Sequence, residues 1–130
     1  MATANEELVR KGYVAFSTGD METLGKLMKP DVVHSVPGNN LTSGEHQGQD
    51  AVFAMYGQLF ELSGGTLTVE LQEANAAGDS KVSAKHRARA KRGDKTLDVI
   101  QTIDFTIDGD QIARLDESTV DQAVEDAFWS

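Results

Sequence analysis

The 130-residue chain has the length of one domain, 1–130, and its 21 acidic against 12 basic residues give a formal net charge of −9. That charge would repel a phosphate backbone, so we expect no nucleic-acid partner. The chain has no cysteine, which excludes disulfides, thiolate metal ligands and a cysteine nucleophile. A polar, acidic start and the lack of a long apolar run predict neither a signal peptide nor a membrane span, so we expect a cytoplasmic protein.

The first thirty residues have the pattern of two helices. Thr3 to Glu6 has capping-box spacing, which predicts a helix from about Ala4 that ends at Thr18-Gly19. Asp20 is a suitable cap for a second, short helix, which Pro30 cannot continue. The residues expected to face the core are Leu8, Val9, Gly12, Ala15, Phe16, Leu24, Leu27 and Met28.

A short β-like run over 31–36 comes next, followed by a polar loop from Pro37 to Gly48. A third helix is predicted from Gln49 or Asp50, and the Gly64-Gly65 pair should stop it. Its buried side is expected to consist of Val52, Met55, Tyr56, Leu59 and Phe60.

The second half of the chain alternates between apolar and polar residues, as strands with one wet face do. The predicted strands cover 67–71, 82–91, 97–107 and 112–119, and a short helix from about Val120 carries Phe128 and Trp129. Tight turns between these strands favour antiparallel pairing. Helices gathered early should cover one face of the sheet, which predicts an α+β domain.

Several short segments in this order resemble the SnoaL-like and ketosteroid isomerase-like proteins of the nuclear transport factor 2-like superfamily. The segments are Gly19-Asp20, the run Val32 to Asn40, Ser43-Gly44, Gly48 to Val52, Asp108 to Ile112, Asp121-Gln122 and Phe128 to Ser130. The resemblance implies a conical fold, in which a curved antiparallel sheet wraps around the N-terminal helices and leaves an apolar cavity. It also implies a small hydrophobic ligand and a homodimer through the outer sheet face. Activities of the family include isomerisation, cyclisation, dehydration and hydrolysis, and some members only bind.

The steroid isomerase residues of that family are missing here. The position of its general-base aspartate is Val36, and its second oxyanion-hole residue falls on Ile103. Its tyrosine falls near Gly12, with Tyr13 beside it but rotated by about 100° around the helix. Steroid isomerisation by that mechanism is therefore excluded.

His86 is the first candidate catalytic residue. Strand parity predicts that Val82, Ala84, His86, Ala88 and Ala90 face the helices, while the basic residues between them face outward. An imidazole among small alanines in a cavity suits proton transfer near neutral pH. The alternative is a structural histidine whose nitrogens are satisfied by hydrogen bonds.

Glu117 is the second candidate, as a carboxylate beside His86 that takes a proton or orients the ring. The resemblance places it on the inner face with Leu115. A register shifted by one residue would instead turn Glu117 outward and Asp116 inward.

Other side chains are expected to hold the ligand. His34 shares the parity of Val36 on the first strand, while Gln101 and Ile103 share the inner face of the long strand. Tyr13 and Tyr56 lie at the edges of helix stripes, where core packing with a hydrogen-bonded hydroxyl is the alternative.

We expect neither a metal nor another cofactor. His34, His46 and His86 match no familiar ligand spacing, and His46 falls in the polar loop. The basic residues over 81–95 should form an outer sheet face with the acidic partners Glu70, Asp98 and Asp104. The sequence thus predicts a cofactor-independent isomerase, cyclase, dehydratase or hydrolase, or else a dimeric, non-catalytic binding module.

Overall fold

A computed structural model describes residues 3–130 as a six-stranded sheet that curves around the helices. The elements in chain order are α1 (Ala4–Thr18), α2 (Met21–Leu27), β1 (Met28–Val36), β2 (Gly44–Gln47), α3 (Gln49–Leu62), β3 (Thr68–Ala76), β4 (Lys81–Arg92), β5 (Lys95–Asp108), β6 (Gln111–Thr119) and α4 (Gln122–Phe128). This is the α+β class that the sequence predicts. Within residues 3–130, no helix has the length and apolar character needed to cross a membrane.

The capping box that starts α1 is confirmed. The Glu6 amide donates to Thr3 Oγ1 at 3.1 Å, and the Thr3 amide donates to Glu6 Oε1 at 2.8 Å. Gly19 ends the helix in the left-handed conformation, with φ of 72°. Asp20 Oδ1 then accepts from the amide of Thr23 at 3.1 Å and begins α2.

The sheet has the strand order β2-β1-β6-β5-β4-β3. The pairs β3–β4, β4–β5, β5–β6 and β1–β2 are antiparallel, whereas β1 and β6 are parallel. The sheet is therefore mixed, and not purely antiparallel as the sequence suggested. Tight hairpin turns predict the relative direction of strands that follow one another in the sequence. Strands β1 and β6 are separated by most of the chain, so no turn predicts that they pair in parallel.

Several boundaries and one additional strand differ from the sequence prediction. The polar loop contains β2, an edge strand whose Gly44 to Gln47 pair with β1 through backbone hydrogen bonds, so its side chains give little periodic signal. Met28 begins β1 and does not end α2, and it is only 2% exposed. The C-terminal helix begins after its cap Asp121, which leaves Val120 74% exposed.

The alternation of side chains along each strand and one β-bulge determine which residues face the inside of the sheet. On β4 and β5 alternate residues are buried along the full length of the strands. On β6 both Ile112 and Leu115 are buried, which simple alternation forbids. The pairing shifts between Ile107↔Ile112 and Thr106↔Arg114, so Ala113 is an extra residue that restores the inward direction.

Candidate functional site

A cavity of about 100 Å³ lies between the inner face of the sheet and the helices α1, α3 and α4. Its wall is mostly apolar, with polar groups from several strands converging on it. All of the residues that the sequence predicted for the site lie in this wall: Tyr13, His34, Val36, Tyr56, His86, Gln101, Ile103, Leu115 and Glu117.

The His86 ring is 3% exposed and both of its nitrogens are hydrogen-bonded. Nδ1 lies 2.7 Å from the hydroxyl of Tyr13, and Nε2 lies 2.6 Å from Oε1 of Gln101. Burial lowers the pKa of His86, so the ring is neutral near pH 7. Since the amide oxygen of Gln101 can only accept, Nε2 carries the proton in this arrangement and Nδ1 accepts from Tyr13.

A second group of polar side chains centres on His34, which is 4% exposed. Its Nδ1 lies 2.8 Å from the hydroxyl of Tyr56, and its Nε2 lies 3.0 Å from Oε1 of Glu117. The Glu117 side chain is 13% exposed. Within the described part of the chain, no hydrogen bond reaches its other oxygen, so that oxygen is open to a ligand.

The inward direction of Glu117 follows from the register of β5 and β6. Glu117 is directly opposite Ile103, and Leu115 is opposite Phe105, both of which face the cavity. The alternative register, in which Asp116 points inward, is wrong. Asp116 instead accepts from Nε of Arg114 at 2.9 Å on the outer face.

The direct contact expected between His86 and Glu117 is also wrong. His86 is on β4 and Glu117 is on β6, with β5 between them, so their strands are about 10 Å apart. Gln101 of β5 fills the place beside the His86 ring. The strand adjacent to β6 on its other side is β1, which brings His34 to Glu117 instead.

Glu125 is a site residue that the sequence interpretation missed. It lies on α4, is 5% exposed, and accepts a short hydrogen bond from Nε2 of Gln101. Burial raises the pKa of this carboxyl to about 7, and the charge of Glu117 adds to the effect. Its spacing with Phe128 and Trp129 is the i, i+3, i+4 pattern of one helix face, which is the signal that would have found it.

The two tyrosine hydroxyls remain protonated. Burial raises the pKa of Tyr13 and of Tyr56 well above the ordinary value, and the nearby carboxylate of Glu117 raises both further. Each hydroxyl is therefore a neutral hydrogen-bonding group at the surface of the cavity.

The loop after β1 is tied to α4 beside the cavity. Asp126 Oδ1 accepts from the amide of Asn39 and from Nδ2 of Asn40, each at 2.9 Å.

His46 is part of β2 and contacts the carbonyl of Thr42 through Nε2 at 2.8 Å. In the described ranges, no group of three or more metal-ligating side chains is close enough to hold an ion.

The basic residues of β4 point away from the cavity. Arg87 makes a bidentate contact with Asp98, with a shortest distance of 2.6 Å, and Lys85 Nζ lies 3.5 Å from Oε1 of Glu73. The outer face therefore carries pairs of opposite charges. Asp98 is one of the acidic partners that the sequence predicted. Glu70 is opposite Arg87 in the register of β3 and β4.

The chain is similar to several known proteins. The family model described as the SnoaL-like domain matches residues 9–115. An uncharacterised protein of Mycobacterium tuberculosis is 37% identical over 127 residues, 98% of this chain and 97% of that protein. The solved structure of Bal32a, from a soil-derived mobile gene cassette, is 35% identical with a TM-score of 0.95, over 98% of this chain and 97% of that one. A cystatin-like-fold protein from Xanthomonas campestris is 31% identical with a TM-score of 0.89, over 95% and 96% of the two chains.

The family model and these relatives each cover most of the chain, so the chain belongs to the SnoaL-like domain family that its residues had suggested.

Proposed function

We propose that the chain binds a small, uncharged hydrophobic molecule in the cavity and converts it by general acid–base catalysis that needs no cofactor. The observation that carries this proposal is the carboxylate of Glu117, which His34 holds at 3.0 Å in the wall of an apolar cavity. One oxygen is fixed by the imidazole and the other is left to accept a proton from a ligand. Membership of the family supports a ligand-binding or isomerase or cyclase role.

The lining of the cavity supports an uncharged ligand. Its charged residues are Glu117 and Glu125, and no lysine or arginine is among the described residues that line it. An anionic ligand would meet the charge of Glu117 with no cation to offset it, which is costly in a site of low dielectric. An apolar compound with a carbonyl, epoxide or hydroxyl oxygen matches both the apolar wall and its few polar groups.

The Tyr13–His86 pair would act on the ligand oxygen, while Glu117 acts as the base. The Tyr13 hydroxyl lies 2.7 Å from Nδ1 of the His86 ring, and when the ring hydrogen is on Nδ1 the hydroxyl would donate to a ligand oxygen that gains charge as Glu117 removes a proton. His86 would keep this hydroxyl oriented and exchange a proton with it. Gln101 acts on the opposite edge of the same ring and fixes it in place.

A second candidate function is binding without catalysis. Both nitrogens of His86 and both nitrogens of His34 already have partners, which is the pattern of structural histidines. A rigid, fully bonded wall would serve a carrier or sensor of the same ligand class. The free oxygen of Glu117 is the feature that favours catalysis over this alternative.

The proposal includes a homodimer formed through the outer sheet face. Ile100 of β5 is half-buried on that face, beside the charged pair Arg87 and Asp98, and Val120, directly after β6, is 74% exposed. Sedimentation equilibrium of the wild type and of Ile100→Glu tests this. We expect a dimer that becomes a monomer in the variant, and a monomeric wild type would contradict it.

Ligand binding can be followed with the chain's single tryptophan, Trp129, which lies in the cavity wall. We would titrate small cyclic enones, epoxides and alcohols, with carboxylates of matched size, and measure Trp129 fluorescence. Compounds that bind would then be incubated with the protein and followed by NMR for conversion. The proposal predicts that uncharged compounds bind in preference to carboxylates and that at least one of them is converted.

The catalytic part is tested with Glu117→Gln and His86→Ala, against the exposed control Glu73→Gln. Loss of the base should lower turnover by about 10²–10⁴-fold while Trp129 still reports binding. Full turnover in both site variants would overturn the catalytic assignment. Binding without conversion of any compound would instead establish the carrier function.

A further inference from the structure

Four side chains form one continuous hydrogen-bonded chain from the cavity wall to α4. Tyr13 contacts Nδ1 of His86 at 2.7 Å, Nε2 of His86 contacts Gln101 Oε1 at 2.6 Å, and Gln101 Nε2 contacts Glu125. His86, Gln101 and Glu125 are 3%, 8% and 5% exposed, so water competes little for these bonds. Each middle member has one donor edge and one acceptor edge facing its two neighbours, so the direction of one bond determines the direction of the next.

We infer that Glu125 is a positioning residue whose protonation state sets, through Gln101 and His86, the direction in which the hydroxyl hydrogen of Tyr13 points. This inference rests on the proposed function only in taking the cavity as the ligand site. The hydrogen-bonded chain itself is a property of the free protein and can be tested without a ligand.

The direction with ionised Glu125 is the one the structure shows. A carboxylate only accepts, so the NH₂ group of Gln101 faces Glu125 and its oxygen faces His86. Nε2 of His86 must then carry the ring hydrogen, and Nδ1 accepts from the Tyr13 hydroxyl. Tyr13 therefore donates its hydrogen to His86 and presents oxygen lone pairs to the cavity.

Protonation of Glu125 allows the reverse direction. A protonated carboxyl donates to the oxygen of Gln101 after that amide turns over, and the amide NH₂ then donates to Nε2 of His86. The ring hydrogen moves to Nδ1, which donates to the oxygen of Tyr13. The Tyr13 hydroxyl is then free to donate to a ligand.

The surroundings of Glu125 place both states within reach near neutral pH. The groups that face it are Gln101 from β5, Glu117 and Thr119 from β6, and Asp126 from its own helix. Burial and the charges of Glu117 and Asp126 raise its pKa to about 7, while the bonds from Thr119 and Gln101 oppose the increase. No lysine or arginine is among these groups.

The protonation state of Glu125 would therefore determine which kind of ligand oxygen Tyr13 can hydrogen-bond. With Glu125 protonated, Tyr13 offers a donor that suits a carbonyl, ether or epoxide oxygen. With Glu125 ionised, Tyr13 offers an acceptor that suits a hydroxyl group. A reaction that turns a carbonyl into an enol would use both directions of the same chain.

The test is NMR of the protein labelled with ¹⁵N at histidine, recorded without ligand from about pH 6 to about pH 8.5, on either side of the Glu125 transition. The ring nitrogens report which of them is protonated, and the imidazolium gives a distinct third pattern. For the wild type we expect His86 to change from the Nε2-protonated form to the Nδ1-protonated form as the pH falls through about 7. His34 and His46 serve as internal references in the same spectra.

Two variants break the chain at different points. Glu125→Gln removes the titrating group, and Gln101→Leu removes the connection while Glu125 still titrates. In both, the His86 tautomer should not change with pH, whereas Glu73→Gln should behave like the wild type. A constant tautomer in the wild type would overturn the inference, as would a change that persists in either variant.

Failure of this inference and failure of the proposed function are distinguishable. The tautomer experiment uses no substrate, whereas the proposed function is judged by turnover. A protein that switches tautomers but converts no ligand retains the inference and loses the catalytic proposal.

Discussion

Nε2 of His34 and Oε1 of Glu117 lie 3.0 Å apart, and this contact joins the parallel strands β1 and β6 beneath the cavity. Nδ1 of the same ring contacts the hydroxyl of Tyr56 on α3 at 2.8 Å. One imidazole thus fixes a carboxylate from the sheet and a phenol from a helix. Both contacts lie in the cavity wall, so the ring stabilises the fold and orients the proposed base.

Replacement of His34 by Ala should therefore weaken both stability and activity. It leaves the Tyr56 hydroxyl and one oxygen of Glu117 without their partner in a buried setting, which costs about 1–3 kcal/mol per group. Urea unfolding measures the change in the free energy of unfolding. His46→Ala is the matched control, because His46 is half-buried and, within residues 3–130, its side chain bonds only to a backbone carbonyl. Equal losses in the two variants would contradict a special role for His34.

The buried carboxyl of Glu125 should make stability depend on pH. Its pKa rises from the ordinary 4.5 to about 7 on folding, so the native state binds its proton more tightly than the unfolded chain does. The resulting stability is fully present below about pH 4.5 and is lost as the pH rises through about 7. The difference of about 2.5 units corresponds to about 3 kcal/mol, at about 1.4 kcal/mol per unit.

Glu125→Gln should remove this dependence. Thermal unfolding of the variant and the wild type, compared at pH values on both sides of the transition, gives the difference. We expect the variant to be the more stable of the two at alkaline pH, because it has no charge to bury. An exposed control, Glu73→Gln, should follow the wild-type curve. A wild type that gains stability as the pH rises through 7 would reverse the sign and contradict the assignment.

The sequence predicted the elements of the fold well because its signals are local. The alternation on β4 and β5, the cap at Thr3 and the turn glycines each act over a few residues. Strand β2 and the parallel pairing of β1 with β6 depend on contacts between distant segments, and nothing in a polar edge strand reports them.

For the site, parity placed His86 correctly on the inner face but could not say which strand lies beside it. The order of strands decides that Glu117 meets His34 and that Gln101 meets His86. The bulge at Ala113 is a single-residue event that alternation alone cannot locate, yet it turns Glu117 inward. The sequence thus identified the members of the site better than their partners.

Filling the cavity should weaken ligand binding with a modest loss of stability. Ala88 is 2% exposed and lines the cavity, so Ala88→Leu adds a side chain to the space that a ligand would occupy. Overpacking typically costs about 1–3 kcal/mol, which the fold is expected to survive. Trp129 fluorescence would show a loss of affinity of at least about tenfold, equivalent to about 1.4 kcal/mol. Ala123→Leu, at an exposed position of α4, should bind as the wild type does.

Gly38 allows the loop after β1 to lie against α4. Its φ is +92°, and a Cβ at this position would overlap the side chains of Gln122 and Asp126. Gly38→Ala should therefore separate the loop from the helix and break the contacts of Asp126 with Asn39.

Gly44→Ala separates crowding from backbone strain. Gly44 has a φ of +119°, but a Cβ added there would have no neighbouring atom within 4 Å, so Ala meets only the conformational cost of roughly 1–2 kcal/mol. Gly38→Ala should lose clearly more stability in urea unfolding, since it suffers both effects. Because Gln122 and Trp129 line the cavity, it should also expose Trp129 and shift its emission to longer wavelength. Equal stability of the two variants, with unchanged emission, would show that this loop does not close the cavity.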